Sequence, residues 1–322
     1  MDCAIAAGGI NCTTNPSYCS KLLDSEPDYI QGVIDEVIKG TRDNEEVAWL
    51  VYQKACSRVM AAFLPLFKKS AGSYGYVTMQ DDPRLDDNED AVVRAVLRNR
   101  PLGQNFMAKI PVIGGGLDAL ERCVAEDIPI CATEVFSVAQ AIHMCDLYNK
   151  AAETTGKHPP FFVTHITGIF DEYLKKVAAR DDIRISSDVL AQAGCTVARK
   201  EYHLLKERGY PTTMLGGGAR SLRHFTELVG GDVHITINWS TAQELIDKDA
   251  PALSRIDVET PEAVVAELCE KFEDFEKAYN EDGLSVEEFA GYGPVQLFRN
   301  SFLNGYYRLL AAICARRNFH AL

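Results

Sequence analysis

The chain has 322 residues, 47% of them apolar and 25% charged, with a formal net charge of −13 and a pI near 5.0. A chain of that size can bury one large α/β barrel or two smaller domains. Its acidity opposes phosphate backbones and anionic membrane surfaces, so nucleic acid and membrane partners are excluded, and no apolar stretch reaches the ~20 residues that cross a bilayer.

From the N-terminus, a short helical piece at 2–7 precedes a β-rich run at 10–13, and amphipathic stretches follow at 29–39 and 45–69. Runs of strand character then recur at 76–80, 106–110, 129–133, 161–164, 212–215 and 233–237. Helical patterns separate them at 88–98, 117–126, 138–152, 188–208 and 222–229. Strands alternating with helices predict a parallel sheet with crossover connections. Without a Pro-, Gly- or Ser-rich linker, the pattern favours a closed (β/α)8 barrel over the alternative, an open doubly wound sheet. Seven strands are visible, so the first strand of such a barrel is missing: it lies upstream of Met1 or its place is filled by a C-terminal segment. The chain is thus read as a single (β/α)8-type domain over 1–322, with 261–322 as a helical extension packed on it. Helices are expected there at 261–278 and 285–315, the latter over the barrel mouth.

Ten cysteines are scattered, none in a C-x-x-C pair, which suits neither a zinc site nor a disulfide scaffold. Most of them read as small buried apolar residues in a reducing compartment. The start, Met1-Asp2-Cys3-Ala4, lacks the basic region and apolar core of a signal peptide, so the expected location is the cytoplasm.

Barrel chemistry sits at the C-terminal ends of the strands. Lys109, in Phe106-Met107-Ala108-Lys109-Ile110-Pro111, is an amine in an otherwise apolar strand. Burial disfavours the charged form of a lysine, and a neutral amine can form a Schiff base with a ketone or aldehyde. Alone, the hexapeptide reads first as a strand-end lysine whose ammonium reaches water, and only its neighbours turn the reading to the Schiff base. Asn15, Gln80, Thr133, Thr164 and the Gly216-Gly217-Gly218-Ala219-Arg220 loop fall at the ends of the other strands. An amine, amides, hydroxyls and a guanidinium on one face suit a polyol with a carbonyl and an anionic tail. Each has a plainer reading too. Thr13-Thr14-Asn15-Pro16 also reads as a turn, Thr133 as a helix cap, Arg220 as a solvated side chain and His165 as a structural histidine. Gly114–Gly116 lacks the P-loop pattern and reads as a helix start.

Four segments, Cys12-Thr13-Thr14-Asn15-Pro16-Ser17, Asp82-Pro83-Arg84-Leu85, Ala108-Lys109-Ile110-Pro111 and Thr133-Glu134-Val135-Phe136-Ser137-Val138-Ala139-Gln140-Ala141, come in this order on consecutive strands. Together they resemble the transaldolases and the related fructose 6-phosphate aldolases, over about residues 4 to 245. The resemblance implies class I chemistry without metal or cofactor. Lys109 would hold a ketose phosphate as a Schiff base, break the C3–C4 bond and pass a dihydroxyacetone unit to an aldose phosphate, a step of the pentose phosphate pathway. Asn15 would bind the three-carbon unit, Thr133 the catalytic water, and Arg220 the substrate phosphate, with Thr164 near the same hydroxyls. Departures from the family are also visible. No first-strand aspartate precedes Asn15, and Gln80 stands where transaldolases carry glutamate, as it does in the aldolase branch. Ile169 replaces an arginine of the phosphate clamp and Gly218 a serine. The alternatives are aldol cleavage of fructose 6-phosphate or a related ketose, and a catalytically impaired barrel that binds sugar phosphates. Assembly into a homo-oligomer is left open.

Overall fold

The computed structural model describes residues 2–80, 82–249 and 251–321. It divides into two compact units, Met1–Lys109 with Arg299–Leu322, and Ile110–Phe298. The division falls within one strand, directly after Lys109.

In the first unit, β1 (Cys12–Thr13), β2 (Val77–Met79) and β3 (Phe106–Pro111, as far as Lys109) pair in parallel in chain order. Cys12 lies against Val77 and Val77 against Phe106; Thr13 against Thr78 and Thr78 against Met107; Met79 against Ala108. The long helix Asn44–Lys69 backs these strands. Asp43 caps it by accepting the Glu45 and Glu46 N–H groups, acidic residues fill its first turn and Lys68 and Lys69 its last, all in favour of the helix dipole. Val47, Val51, Ala55, Val59 and Phe63 recur every fourth residue on its buried stripe. Asn105, just before β3, donates its amide to the carbonyls of Met60 and Gly75 at 3.0 and 2.8 Å, fastening helix and strands from below. Arg84 ties the loop after β2 to the same helix and to the C-terminal helix, through Asp82 (2.6 Å), Glu45 (2.7 Å) and the Tyr306 hydroxyl (3.0 Å). The Asp82-Pro83-Arg84-Leu85 motif is therefore a structural clamp.

In the second unit, β4 (Ile130–Val135), β5 (Phe161–Ile166), β6 (Thr213–Gly217) and β7 (Val233–Ile235) also pair in parallel in chain order. β4 and β5 are buried along their whole length, as parallel strands covered on both faces must be. The helix Gly114–Ala125 starts within the glycine run, as expected. A Cβ on Gly116 would lie 1.9 Å from the Pro111 carbonyl, so glycine is required by the close approach of helix to strand.

All seven expected strands exist and run parallel, so the chain is an α/β protein of successive strand–helix units. Helix boundaries differ more. The stretch expected at 188–208 is broken into Ser187–Leu190 and Ala193–Glu207, where the Gly194 N–H goes to the Asp171 carboxylate at 2.7 Å. The stretch at 261–278 breaks at Phe272, whose extended backbone buries its ring, and that at 285–315 is resolved into Val286–Phe289 and Gly293–Ala321. The helix expected at 222–229 shrinks to Arg223–Thr226. Three helices, Tyr18–Ser25, Thr167–Arg180 and Trp239–Lys248, are additional to those expected. Thr167–Arg180 follows β5 without a loop or a side-chain cap, and Trp239–Lys248 has no fully buried residue.

No cysteine is in a disulfide among the described residues, and Cys3 and Cys314 are exposed rather than buried. Burial pushes the Cys12 thiol up to about 11 and those of Cys19 and Cys195 up to about 12, so these three stay protonated at neutral pH and pack as apolar groups. Among the described residues no helix is long and apolar enough to cross a membrane.

Replacing Asn105 by alanine leaves two buried carbonyls without their donor. We expect Asn105→Ala to lower the unfolding free energy by about 2–4 kcal/mol in urea titration; an unchanged midpoint would refute the role assigned to this amide.

Candidate active site

The parallel register of the first unit decides what stands beside Lys109. With Met79 opposite Ala108 and Thr13 opposite Thr78, continuing the ladders by one and by two residues puts Asn15, Gln80 and Lys109 in one row across β1, β2 and β3. The Thr14 N–H bonded to the Thr78 carbonyl carries the ladder past the end of β1. Lys109 is only 8% exposed, so the reading of an ammonium simply reaching water does not hold. Its Nζ donates to the Thr14 carbonyl at 3.3 Å and lies 5.9 Å from the ring centroid of Phe302, on the C-terminal helix. That aromatic wall was not foreseen. Its helix is held by the Ser17 hydroxyl donating to the Ser301 carbonyl at 3.1 Å, and by Arg299 donating to the Pro83 carbonyl at 3.2 Å.

Gln80 is buried, and its N–H donates to the Tyr52 hydroxyl at 3.2 Å. Asn15 is half-buried; its side-chain oxygen accepts the Ser17 N–H at 3.0 Å and its carbonyl the Tyr18 N–H at 2.9 Å. The turn reading and the site reading are thus both correct for Asn15: its side chain closes the turn, and the turn holds it in the row.

In the second unit, Thr133 and Thr164 occupy neighbouring strands, one residue beyond the Ala132–Val163 pair. Thr133 does not cap the following helix. Ser137 does, accepting the Gln140 N–H at 3.2 Å. The Thr133 hydroxyl is wholly buried and has no hydrogen-bond partner among the described residues, so it is left with capacity for a water or a hydroxyl. Thr164 Oγ1 lies 3.2 Å from the Cys131 sulfur. Glu134, next to Thr133, is buried with φ of +65°, a conformation a non-glycine residue adopts only under constraint. The ladder shifts register there. Gln140 supplies the constraint: its amide nitrogen donates to the Val112 and Glu134 carbonyls, and its oxygen accepts the Phe136 N–H.

Arg220 lies past β6 on an exposed loop. Its Nε is 3.1 Å from Glu172 and its Nη1 donates to the carbonyls of Gly218 and Ala219. Glu172 is held below the usual carboxylate range by Lys176 first, with burial opposing and Arg220 adding to the effect. Gly218 has φ of +63°, and a Cβ there would lie 2.5 Å from Ile166, so the serine of the family pattern does not fit. His224, one turn past Arg220, is fully engaged. Its Nδ1 accepts the N–H groups of Arg220 and Ser221 at 2.9 and 3.2 Å, and its Nε2–H donates to Asp171 at 2.8 Å. His165 Nδ1 lies 2.7 Å from the Glu201 carboxylate, both residues buried, in keeping with the structural reading.

The structure therefore brings Asn15, Gln80 and Lys109 together in the first unit, and Thr133 and Thr164 side by side in the second. Arg220 stands apart on its loop. An α/β protein whose parallel strand ends carry an amine, two amides and hydroxyls is equipped for carbonyl chemistry on a polyol. The chain belongs to the transaldolase/fructose-6-phosphate aldolase family, whose model matches residues 4–287. A transaldolase from Trichodesmium erythraeum is 24% identical over 230 residues, covering 66% of this chain and 60% of its own. One from Acidothermus cellulolyticus is 26% identical over 217 residues (62% and 55%), and one from Mycobacterium ulcerans 25% over 213 residues (62% and 55%). The chain thus spans somewhat over half the length of these relatives.

Because His224 alone takes the Arg220 and Ser221 amide protons, His224→Ala should speed exchange of those two amides by about tenfold or more, while amides of β5 stay protected. Unchanged exchange at both would show that His224 does not hold the loop.

Proposed function

We infer that the chain transfers a dihydroxyacetone unit between sugar phosphates through a Schiff base on Lys109. The row of Asn15, Gln80 and Lys109, with the lysine buried among apolar strand residues, is the observation that carries this reading. The barrel of eight strands, the single domain with its C-terminal helical extension, the cytoplasmic location and the pentose phosphate pathway belong to the same proposal. Family membership and the names of the relatives support it.

In this mechanism the neutral Lys109 amine adds to the ketose C2 carbonyl, and with one proton taken from solvent, water is expelled, leaving an iminium. The C3–C4 bond then breaks, its electron pair flowing into the iminium to give an enamine. The C4 hydroxyl proton leaves to solvent as the aldehyde departs. The enamine carbon attacks the carbonyl of an aldose acceptor, and hydrolysis returns the free lysine. Asn15 hydrogen-bonds the retained three-carbon unit, and Thr133 Oγ1 holds the water that carries protons. Thr164 contacts the same hydroxyls and Arg220 the phosphate. For Arg220 this means exchanging Glu172 for the substrate. An ion pair at a half-exposed guanidinium is worth at most about 1 kcal/mol, less than a charge-assisted contact to a phosphate dianion offers.

One observation favours aldol cleavage as the second reading. Gln80 is an amide in the row where a carboxylate would shuttle protons, and it can orient water but not deprotonate it. Without proton traffic through a carboxylate, release of free dihydroxyacetone competes with transfer.

Borohydride reduction in the presence of fructose 6-phosphate should add a three-carbon adduct to Lys109, and Lys109→Met should show none. Equal labelling of both proteins would end the Schiff-base reading. Turnover of the donor that depends strictly on erythrose 4-phosphate supports transfer; turnover without any acceptor supports cleavage.

A further inference from the structure

Beside the row of Asn15, Gln80 and Lys109 runs a chain of four hydrogen-bonding groups, of which the family motifs quoted above include only Thr14. It begins at the Gln80 N–H, which donates to the Tyr52 hydroxyl at 3.2 Å. The Tyr52 and Thr14 hydroxyls are 2.7 Å apart, and Thr14 Oγ1 lies 2.6 Å from the Thr78 carbonyl. The direction of every bond is determined by its ends. A backbone N–H only donates and a carbonyl only accepts. Thr14 must therefore spend its proton on Thr78, and Tyr52 must donate to Thr14 while accepting from Gln80. All four groups belong to buried residues, where such bonds are strong.

The chain links the two strand ends that flank Lys109. Thr14 offers the carbonyl that accepts from the Lys109 Nζ and directly precedes Asn15. Thr78 lies two residues before Gln80, whose own N–H is the other end of the chain. The Thr14 N–H returns to Thr78, 3.2 Å from its hydroxyl, which fixes the β1 end against β2 twice. Tyr52 comes from the middle of the helix Asn44–Lys69, one turn before Cys56, whose sulfur lies 3.6 Å from the same Thr14 hydroxyl. The helix thus reaches through the sheet's back layer to set the height of both strand ends.

We propose that Tyr52 is a positioning residue for the Lys109 site: its hydroxyl, through Thr14 and Gln80, holds the Thr14 carbonyl and the two flanking amides in register with the lysine amine. This rests on the Schiff-base reading above. Tyr52 touches neither substrate nor lysine, and it acts on how often the amine and its neighbours are aligned for attack. A misplacement of about 1 Å of this kind costs up to about a hundredfold in rate.

The test uses the full-length protein and follows turnover, trapping and folding together. Tyr52→Phe keeps the ring and removes the hydroxyl. It should lower kcat about tenfold with KM within about twofold, and slow borohydride trapping on Lys109 by a similar factor. Thr14→Val, which removes the relay's next hydroxyl, should give the same loss, and Thr14→Ser, which restores it, should return kcat to near the wild-type value. The double variant Tyr52→Phe/Thr14→Val should be no slower than either single one, because both break the same chain. Tyr148→Phe, which deletes a buried hydroxyl bonded at 2.6 Å to the Pro159 carbonyl elsewhere, should leave kcat unchanged. Wild-type kcat and trapping in Tyr52→Phe would overturn the proposal, as would a loss of kcat that merely tracked the unfolded fraction measured in urea. If the wild-type protein itself trapped nothing on Lys109, the Schiff-base reading would fall first and this proposal with it, an outcome distinct from trapping that is insensitive to Tyr52.

Discussion

A parallel ladder brings residues of successive strands into rows, and the site depends on the row it forms at the ends of β1, β2 and β3. Because the side-chain period of a strand is two, a one-residue slip of any strand would turn its site residue to the opposite face. The register therefore has to be defended where the ladder ends and backbone pairing no longer defends it. The defence consists of side chains: Thr14 against Thr78, Tyr52 against both strand ends, and, at the opposite end, Asn105 against the Gly75 carbonyl before β2 and the Met60 carbonyl of the long helix.

Such bonds are effective because they are buried. A hydrogen bond contributes about 1 kcal/mol net, but a buried group left without a partner costs about 1–3 kcal/mol, so the arrangement that satisfies every group is favoured over near alternatives. The same logic recurs in the second unit. Asp171 and His224 satisfy the amides of the Arg220 loop and of the Gly194 break, and Gln140 satisfies the backbone around Glu134. Thr133 is arranged differently: its buried hydroxyl, one of several buried side-chain polar atoms so placed, has no partner among the described residues. An unfilled capacity at a strand end is what a site that takes up water or substrate requires.

Much of the architecture was legible from pattern alone. Seven strands fell where short β-rich runs alternate with amphipathic stretches, because parallel strands buried on both faces must be apolar and brief. Lys109 stood out because it breaks that apolar rule. The helices at Thr167–Arg180 and Trp239–Lys248 escaped, the first because strand passes into helix with no polar break or cap, the second because none of its residues is fully buried. Helix ends at Gly194 and Phe272 also escaped, since a tertiary hydrogen bond and a buried ring set them. Tyr52 left no signal as a site residue. On a helix it belongs to the buried stripe, and only the fold reveals what its hydroxyl meets.

The sequence by itself determined the class of this protein: an α/β chain of the transaldolase/fructose-6-phosphate aldolase family, with an amine, amides and hydroxyls at its strand ends. Residue type and local periodicity suffice for that, because they depend on chemistry and on neighbours a few positions away. Only the tertiary structure decided which of these groups share a row, that Thr133 keeps its hydroxyl while Ser137 caps the helix, and that Arg220 rests on Glu172. It alone also set Phe302 beside Lys109 and Tyr52 beside Gln80. Those facts join residues dozens to hundreds of positions apart, and the competition for buried hydrogen-bond partners that selects among them exists only once the chain has folded.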